Sequence, residues 1–405
     1  MKAVEVTNGI YALSVDAEGF LFEEMWDIPN GVSINSYIVK GEKTALIDGV
    51  CGWEGVPEQL YAMLDELDIK ISDIDYLVIN HMEPDHSGWI QDFAKLKPDF
   101  EIYCTGMAKK LLKGFFEESD KVNVIKPGMK LDLGGGKELE FHPHPFVHWP
   151  DTMMTRELST NSVFCCDMFG SFGNCAGRNF DDEFKPGDLE FFEEEEIRYF
   201  SNVMVTFNEA TAEAVKKVRE FNPAIICPGH GPIYRKNPAR ILDRYERLTQ
   251  FLEGKPEEEI TVIYGSMYGM TEKAVDKIVE ILKRENVKHN VLKMPYAQIG
   301  EVLSKGVRSF GLILAAPTYE DHMFPPMAYA IDELGRKKIG GAKKVLSLGS
   351  YGWSGGSKKE LAEIIEKRKL NWEMMPEVHF AGIPQDKDYE ALEAAVMDMI
   401  KAMRG

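Results

Sequence analysis

Four side chains able to bind a metal fall within six residues, His81-Met82-Glu83-Pro84-Asp85-His86, directly after the apolar run Tyr76-Leu77-Val78-Ile79-Asn80. The end of a buried strand cannot hold that many polar groups unpaired without a large cost, so they need water, one another or a cation. Pro84 restricts Glu83 to extended geometry, which predicts a loop here rather than a helical turn. His81, Glu83 and Asp85 then alternate and can converge on one site. Three more candidates occupy the same kind of position. His148 follows Phe146-Val147, Asp167 ends Val163-Phe164-Cys165-Cys166, and His230 follows Ala224-Ile225-Ile226 within Cys227-Pro228-Gly229-His230-Gly231. Each alone reads as a satisfied core residue. Together with the first cluster they make four imidazoles and three carboxylates, enough for two metals that share a bridging carboxylate. His142 and His144 read as structural or as supports behind the ligands, and Tyr199 as a packed core residue or a phenol of the site pocket.

A chain of 405 residues has room for two or three domains. The break falls at Glu253-Gly254-Lys255-Pro256-Glu257-Glu258-Glu259, a charged stretch without apolar periodicity. We therefore divide the chain into residues 1–252, a linker at 253–259 and residues 260–405. The helical stripe Ile241, Leu242, Tyr245, Leu248 and Leu252 precedes the linker. After it, strands at Ile260–Tyr264, Val287–Met294, Gly311–Ala316, Lys344–Leu348 and Val378–Ala381 alternate with helices at Thr271–Glu285, Met327–Arg336, Ser357–Arg368 and Asp388–Met403. Such alternation predicts an α/β doubly wound parallel sheet. The first part mixes strands such as Thr44–Asp48, Tyr76–Asn80 and Ser162–Asp167 with helices such as Pro57–Leu67, and a further strand end is expected at Pro145–Pro150. This is an α+β pattern. The acidic run Glu193–Glu196 reads as the solvated start of a helix.

Composition narrows the function. A formal net charge of −19 repels a phosphate backbone, which excludes nucleic acid as a partner. No run of eighteen apolar residues predicts a membrane span, and Met1–Ser14 lacks the apolar core of a signal peptide. The six cysteines, Cys51, Cys104, Cys165, Cys166, Cys175 and Cys227, form no CxxC pair and read as free buried thiols. A cytoplasmic location is the expectation.

Three loops of the second part share one sheet edge. Tyr264-Gly265-Ser266-Met267-Tyr268-Gly269-Met270-Thr271 joins its first strand to its first helix, and small residues and hydroxyls at a helix N-terminus suit an anion. The loop is neither GxGxxG nor a P-loop. It resembles the phosphate loop of flavodoxins, which holds the FMN phosphate without a basic side chain. Ala316-Pro317-Thr318-Tyr319 and Gly349-Ser350-Tyr351-Gly352-Trp353-Ser354-Gly355-Gly356 follow the third and fourth strands, where ligands of such sheets sit. Their glycines allow close approach to a flat ring system, and Tyr319, Tyr351 and Trp353 can cover its faces.

The order His81-x-Glu83-x-Asp85-His86, His148-Trp149-Pro150-Asp151, Asp167-x-Phe169-Gly170 and Pro228-x-His230-Gly231 resembles the metallo-β-lactamase fold, and closely the flavodiiron proteins. The resemblance spans the whole chain and implies an αββα sandwich that carries two non-haem iron ions, followed by a flavodoxin-like domain that carries FMN. It assigns His81, Glu83 and His148 to one iron, Asp85, His230 and His86 to the other, and Asp167 as the bridge. Hydrolases of this fold carry His at position 83, and a carboxylate there makes a harder donor set that suits iron rather than zinc. That substitution argues against the alternative of a dinuclear zinc hydrolase fused to a flavodoxin module. The implied activity is reduction of dioxygen to water or of nitric oxide to nitrous oxide, with no nucleophilic residue. Implied partners are rubredoxin or a reduced deazaflavin coenzyme as donor, and a second copy in a head-to-tail homodimer or dimer of dimers. Many relatives carry a His where this chain has Phe172, so a pocket imidazole is missing.

Overall fold

In the computed structural model of the chain, residues 3–49, 56–116, 121–341 and 343–405 are described. Cys51 lies outside them. Contacts between Cα atoms divide the chain into two compact units, Met1–Phe200 with Phe207–Glu246, and Ser201–Thr206 with Arg247–Gly405.

Two sheets build the first unit. The seven-stranded sheet runs antiparallel through Val4–Thr7, Ile10–Ala17, Val32–Lys40 and Thr44–Ile47, then parallel through Tyr76–Val78, Glu101–Cys104 and Val122–Val124. The five-stranded sheet runs antiparallel from Lys130–Gly134 through Lys137–Pro143 and Met153–Glu157 to Ser162–Cys166, which pairs in parallel with Ile225–Pro228. Alternate residues of both sheets meet in one apolar core: Tyr37, Val39, Ile47 and Val78 from the first, Leu139, Phe141, Met153, Phe164 and Cys227 from the second. Helices such as Val56–Glu66, Asn208–Phe221 and Pro238–Gln250 complete the sandwich. Pairing of the inward faces follows from period-two alternation, as in Lys137–Pro143, where Leu139 and Phe141 are buried between partly exposed neighbours.

Asn80 ties the two sheets together at the end that matters. Its N–H donates to Asp48 Oδ1 at 2.7 Å, its carbonyl accepts from Met153 N at 2.9 Å, and its side-chain oxygen accepts from Thr155 Oγ1 at 2.7 Å.

The second unit is a parallel sheet in the order Lys288–Met294, Glu257–Gly265, Ser309–Tyr319, Lys344–Tyr351, with Val378–Ala381 pairing the last of these. Ile313 and Leu346 of the sheet pack with Ala274, Ile278 and Leu282 of helix Met270–Arg284 and with Leu392, Val396 and Met399 of helix Asp386–Met403. Of the stretch 253–259, Glu257–Glu259 are already strand.

Four local expectations need correction. Residues 84–87 are a helical turn, Pro84–Ser87, because proline is tolerated at the first helical position and only Glu83 before it must be extended. No strand forms at Pro145–Pro150; the strand ends at Pro143 and a loop follows. Helix Ile299–Arg308 was not expected, since three glycines and serines interrupt its apolar stripe. The acidic run Glu193–Glu196 lies inside helix Pro186–Tyr199, and Glu196 is fully buried. Its carboxylate accepts from Arg240 at 3.0 Å, Arg244 at 3.2 Å and Tyr234 Oη at 3.1 Å. Burial raises its pKa, and the two guanidinium charges oppose that rise.

Removing one partner of a buried ion pair leaves the other uncompensated, so Glu196→Ala should cost about 3–5 kcal/mol. Glu193→Ala removes only an exposed contact to Arg240 and should cost under about 1 kcal/mol. Urea denaturation of the two variants measures the difference; equal losses would show that the buried network carries no stability.

Candidate functional site

Six of the seven candidate metal ligands follow a strand end, and His148 lies in the loop between Lys137–Pro143 and Met153–Glu157. His81 follows strand Tyr76–Val78 and its two-residue extension, and turn Pro84–Ser87 carries Asp85 and His86. Asp167 follows Ser162–Cys166, and His230 follows Ile225–Pro228. His148 precedes Met153–Glu157. Left-handed backbone at Cys166 (φ 48°) turns one of these strand ends sharply, and at Asp48 (φ 53°) it turns the end of the neighbouring strand Thr44–Ile47, at a cost of about 1–3 kcal/mol each.

The seven side chains form two groups: His81, Glu83 and His148 with Asp167, and Asp85, His86 and His230. Asp167 faces both. Its Oδ2 lies 3.3 Å from His81 Nε2 and 3.3 Å from His148 Nε2. Its Oδ1 lies 2.8 Å from His86 Nε2 and 3.2 Å from His230 Nε2. Glu83 Oε2 is 3.0 Å from His148 Nε2 and 3.3 Å from His81 Nε2, and Asp85 Oδ2 is 3.3 Å from His230 Nε2.

These atoms approach without satisfying one another. Both oxygens of Asp85 and Oδ2 of Asp167 are buried and lack a hydrogen-bond partner despite the nearby ring nitrogens. His86 Nε2 and His230 Nε2 face each other at 3.1 Å. Donors that crowd at about 3 Å yet aim past one another match the edges of a coordination shell with bonds of about 2.1 Å. The residues present therefore fit two cations, and a set of four imidazoles and three carboxylates suits iron.

Asp151 was read from the sequence only as part of a motif. It is fully buried, and its Oδ2 lies 3.3 Å from His81 Nδ1 and accepts Met82 N–H at 2.8 Å. It thereby sets the tautomer that leaves His81 Nε2 free to face the centre. A carboxylate three residues after a ligand histidine was the available signal.

Tyr199 is packed in the core as expected, but it also reaches the centre: its Oη donates to Asp167 Oδ1 at 3.1 Å. Phe22 and Tyr199 pack on His230, 5.5 Å and 5.7 Å from its ring, and Phe172 packs on both of them. Phe172 is fully buried in this box. Phe22 was not singled out from the sequence, because its place beside the site depends on a two-residue strand. His142 pairs with Glu140 at 3.0 Å against Phe221, and neither it nor His144 joins the two groups.

The second unit offers a cavity of about 200 Å³ at the carboxyl edge of its sheet. Ser266, Met267, Tyr268, Met270, Thr271, Pro317, Thr318, Ser350, Tyr351 and Gly352 line it. Gly382, which the sequence reading passed over, also lines it from the loop after the last strand. Gly269, Tyr319, Trp353, Ser354 and Gly355 are not among its lining residues. Gly269 instead shapes the loop, with φ 84° and its N–H donating to Ser266 Oγ at 3.1 Å. Trp353 is 86% exposed. Among the described residues no basic side chain lines the cavity, and helix Met270–Arg284 begins there with its unpaired N–H groups. Thr271 and Ser350 hydroxyls bond at 2.7 Å and join two of the loops.

Residues 32–231 match the ODP family beta lactamase and residues 262–394 match Flavodoxin. The chain is 32% identical over 337 residues to the anaerobic nitric oxide reductase flavorubredoxin of Citrobacter koseri, covering 82% of this chain and 68% of that one. Against other flavorubredoxins it spans 65–66% of their length, a little under two thirds. It is 28% identical over 398 residues to the nitric oxide reductase of Moorella thermoacetica, covering 96% of both chains. A solved variant of the flavo di-iron protein from Thermotoga maritima superimposes with a TM-score of 0.87 at 29% identity, covering 97% of this chain and 96% of that one.

In the metal-free chain, burial lowers the histidine pKa values but the carboxylates prevail. Asp85 and Asp167 hold His86 up at about 10, and Asp167 and Glu83 hold His148 up at about 9. Both raised values mean stability that is complete below the ordinary histidine pKa and is lost as pH rises through 9 to 10. Metal binding needs the unprotonated nitrogens, so at pH 7 it should release protons and weaken as pH falls. Calorimetric titration of the metal-free protein in buffers of different ionisation enthalpy measures the release. A heat independent of buffer would contradict it.

Proposed function

The chain belongs to the flavodiiron proteins, and on that premise we propose that it is an oxidoreductase that takes electrons through FMN to a non-haem diiron centre and reduces nitric oxide to nitrous oxide, or dioxygen to water. The observation that carries this reading is Asp167, whose two oxygens each face a separate group of donors. His81, Glu83 and His148 hold one iron, and Asp85, His86 and His230 the other. The three-loop cavity of the second unit takes FMN, its phosphate against Ser266–Thr271 and its ring against Pro317, Thr318 and the Ser350–Gly352 loop.

When bound, a reduced flavin and a ferrous pair would supply the two electrons that couple two nitric oxide molecules or the four that dioxygen requires. The chain's own residues set the conditions. The Tyr199 phenol holds Asp167 in place by its hydrogen bond, and burial followed by the Asp167 charge keeps its proton on. Phe22 and Phe172 make the surroundings of His230 apolar, which favours small uncharged gases over water. With Phe172 in place of an imidazole, Tyr199 is the protic side chain beside the bridge. Asp151 keeps the His81 ring oriented.

Rubredoxin or a reduced deazaflavin coenzyme is the donor class this reading takes, and a head-to-tail homodimer or dimer of dimers the assembly. The described cysteines are all free and buried, which supports a reducing, cytoplasmic setting. Among the described residues no helix is long and apolar enough to cross a membrane.

Protein purified without air should contain two irons and one FMN per chain and should consume nitric oxide under reductant. Asp167→Ala should lose iron and turnover while it keeps FMN. An iron-free wild-type protein, or an Asp167→Ala variant with full turnover, would sink the proposal.

A further inference from the structure

Behind one wall of the flavin cavity lies a polar cluster that neither the metal centre nor the cofactor grip uses. His379, on strand Val378–Ala381, is the register partner of Gly349 on Lys344–Tyr351. Gly349 adjoins Ser350, and both Ser350 and Thr318 line the cavity. The missing side chain at Gly349 admits the imidazole, since a Cβ there would collide with the His379 ring and come within 3.0 Å of Ser357 Oγ. Ser357 is 3% exposed at the start of helix Gly356–Arg368, and its Oγ has no hydrogen-bond partner. Its N–H donates to Thr318 Oγ1 at 3.4 Å, which ties the cluster to the wall. His379 Nε2 is also buried without a hydrogen-bond partner. The side chain as a whole is 18% exposed.

We propose that His379 takes up a proton when the flavin in this cavity is reduced. The inference rests on the FMN reading above. The oxidised ring system accepts two electrons and one proton, which bonds to its N5, and is left with one negative charge. A second proton from solvent bonds to the His379 imidazole, and the pair is again neutral. An anion formed on the far side of the Thr318–Ser350 wall favours the charged imidazolium.

Two charged groups act on the ring. Glu377, just before its own strand, places Oε2 3.9 Å from His379 Nε2, and Lys358 on helix Gly356–Arg368 pairs with Glu377. The strands Ser309–Tyr319 and Lys344–Tyr351 present Thr318 and Gly349, which carry no charge. Burial pulls the His379 pKa below its ordinary value, Glu377 opposes this and Lys358 adds to it. The resting imidazole is therefore neutral at pH 7 and available to accept.

The test is potentiometry of the flavin absorbance in the full chain with its metals, across pH 5 to 9. Each proton taken up with the electron pair is a tenfold change per pH unit, about 30 mV for a two-electron couple. Wild type should fall by about 60 mV per pH unit near neutrality and bend to about 30 mV at low pH, where His379 is protonated in both states. His379→Gln should show about 30 mV throughout. Lys358 is 62% exposed, so Lys358→Ala leaves the fold intact and should move the bend to higher pH. A His379→Gln slope equal to wild type, a uniform offset without a change of slope, or an unmoved bend in Lys358→Ala would each overturn the proposal. Flavin content separates the two readings: wild type without FMN refutes the cofactor, whereas FMN-loaded protein with an unchanged slope refutes only His379.

Discussion

Six buried groups and the partly buried Glu83, which satisfy one another only in part, hold the first unit to its purpose. Four imidazoles and three carboxylates crowd at 2.8–3.5 Å, yet Asp85 and one oxygen of Asp167 find no hydrogen-bond partner. Buried charge of this density is tolerated only when something else compensates it. Without a cation, protons on the histidines do so, held there by the carboxylates. In the proposed function, the same atoms would become ligands to cations. The fold around them is organised for this: a core between two sheets, a strand end for almost every ligand, and Asn80 locking the two sheets at that edge.

Much of this was legible in the residues. Ligands that cluster after an apolar run mark a strand end, and the alternation of strands and helices in the second unit marks a parallel sheet. What escaped was set by contacts between residues distant in sequence. Glu196 reads as solvated because its neighbours are acidic, and only Arg240 and Arg244, more than forty positions later, make its burial possible. Phe22 and Asp151 near the centre, and Gly382 at the flavin cavity, escaped for the same reason: each acts on partners that local patterning cannot show. Pro84 misled in the other direction, since the same ring that forbids helix before it is compatible with helix after it.

The second unit solves a different problem, the capture of an anion without a cationic side chain. In the proposed function, backbone N–H groups at the start of Met270–Arg284, with the hydroxyls of Ser266 and Thr271, would take the place of a lysine or arginine. The absence of fixed positive charge leaves the wall of the cavity responsive to smaller effects, such as the state of one imidazole behind Gly349.

The wide spacing of the ligands along the chain has a consequence for biosynthesis. The first donor is residue 81 and the last is residue 230, carried by the strand that completes the five-stranded sheet. A growing polypeptide that has not yet emerged past that strand has six of the seven proposed donors but lacks His230. On the proposed ligand set, a complete centre would report that the whole sandwich has closed.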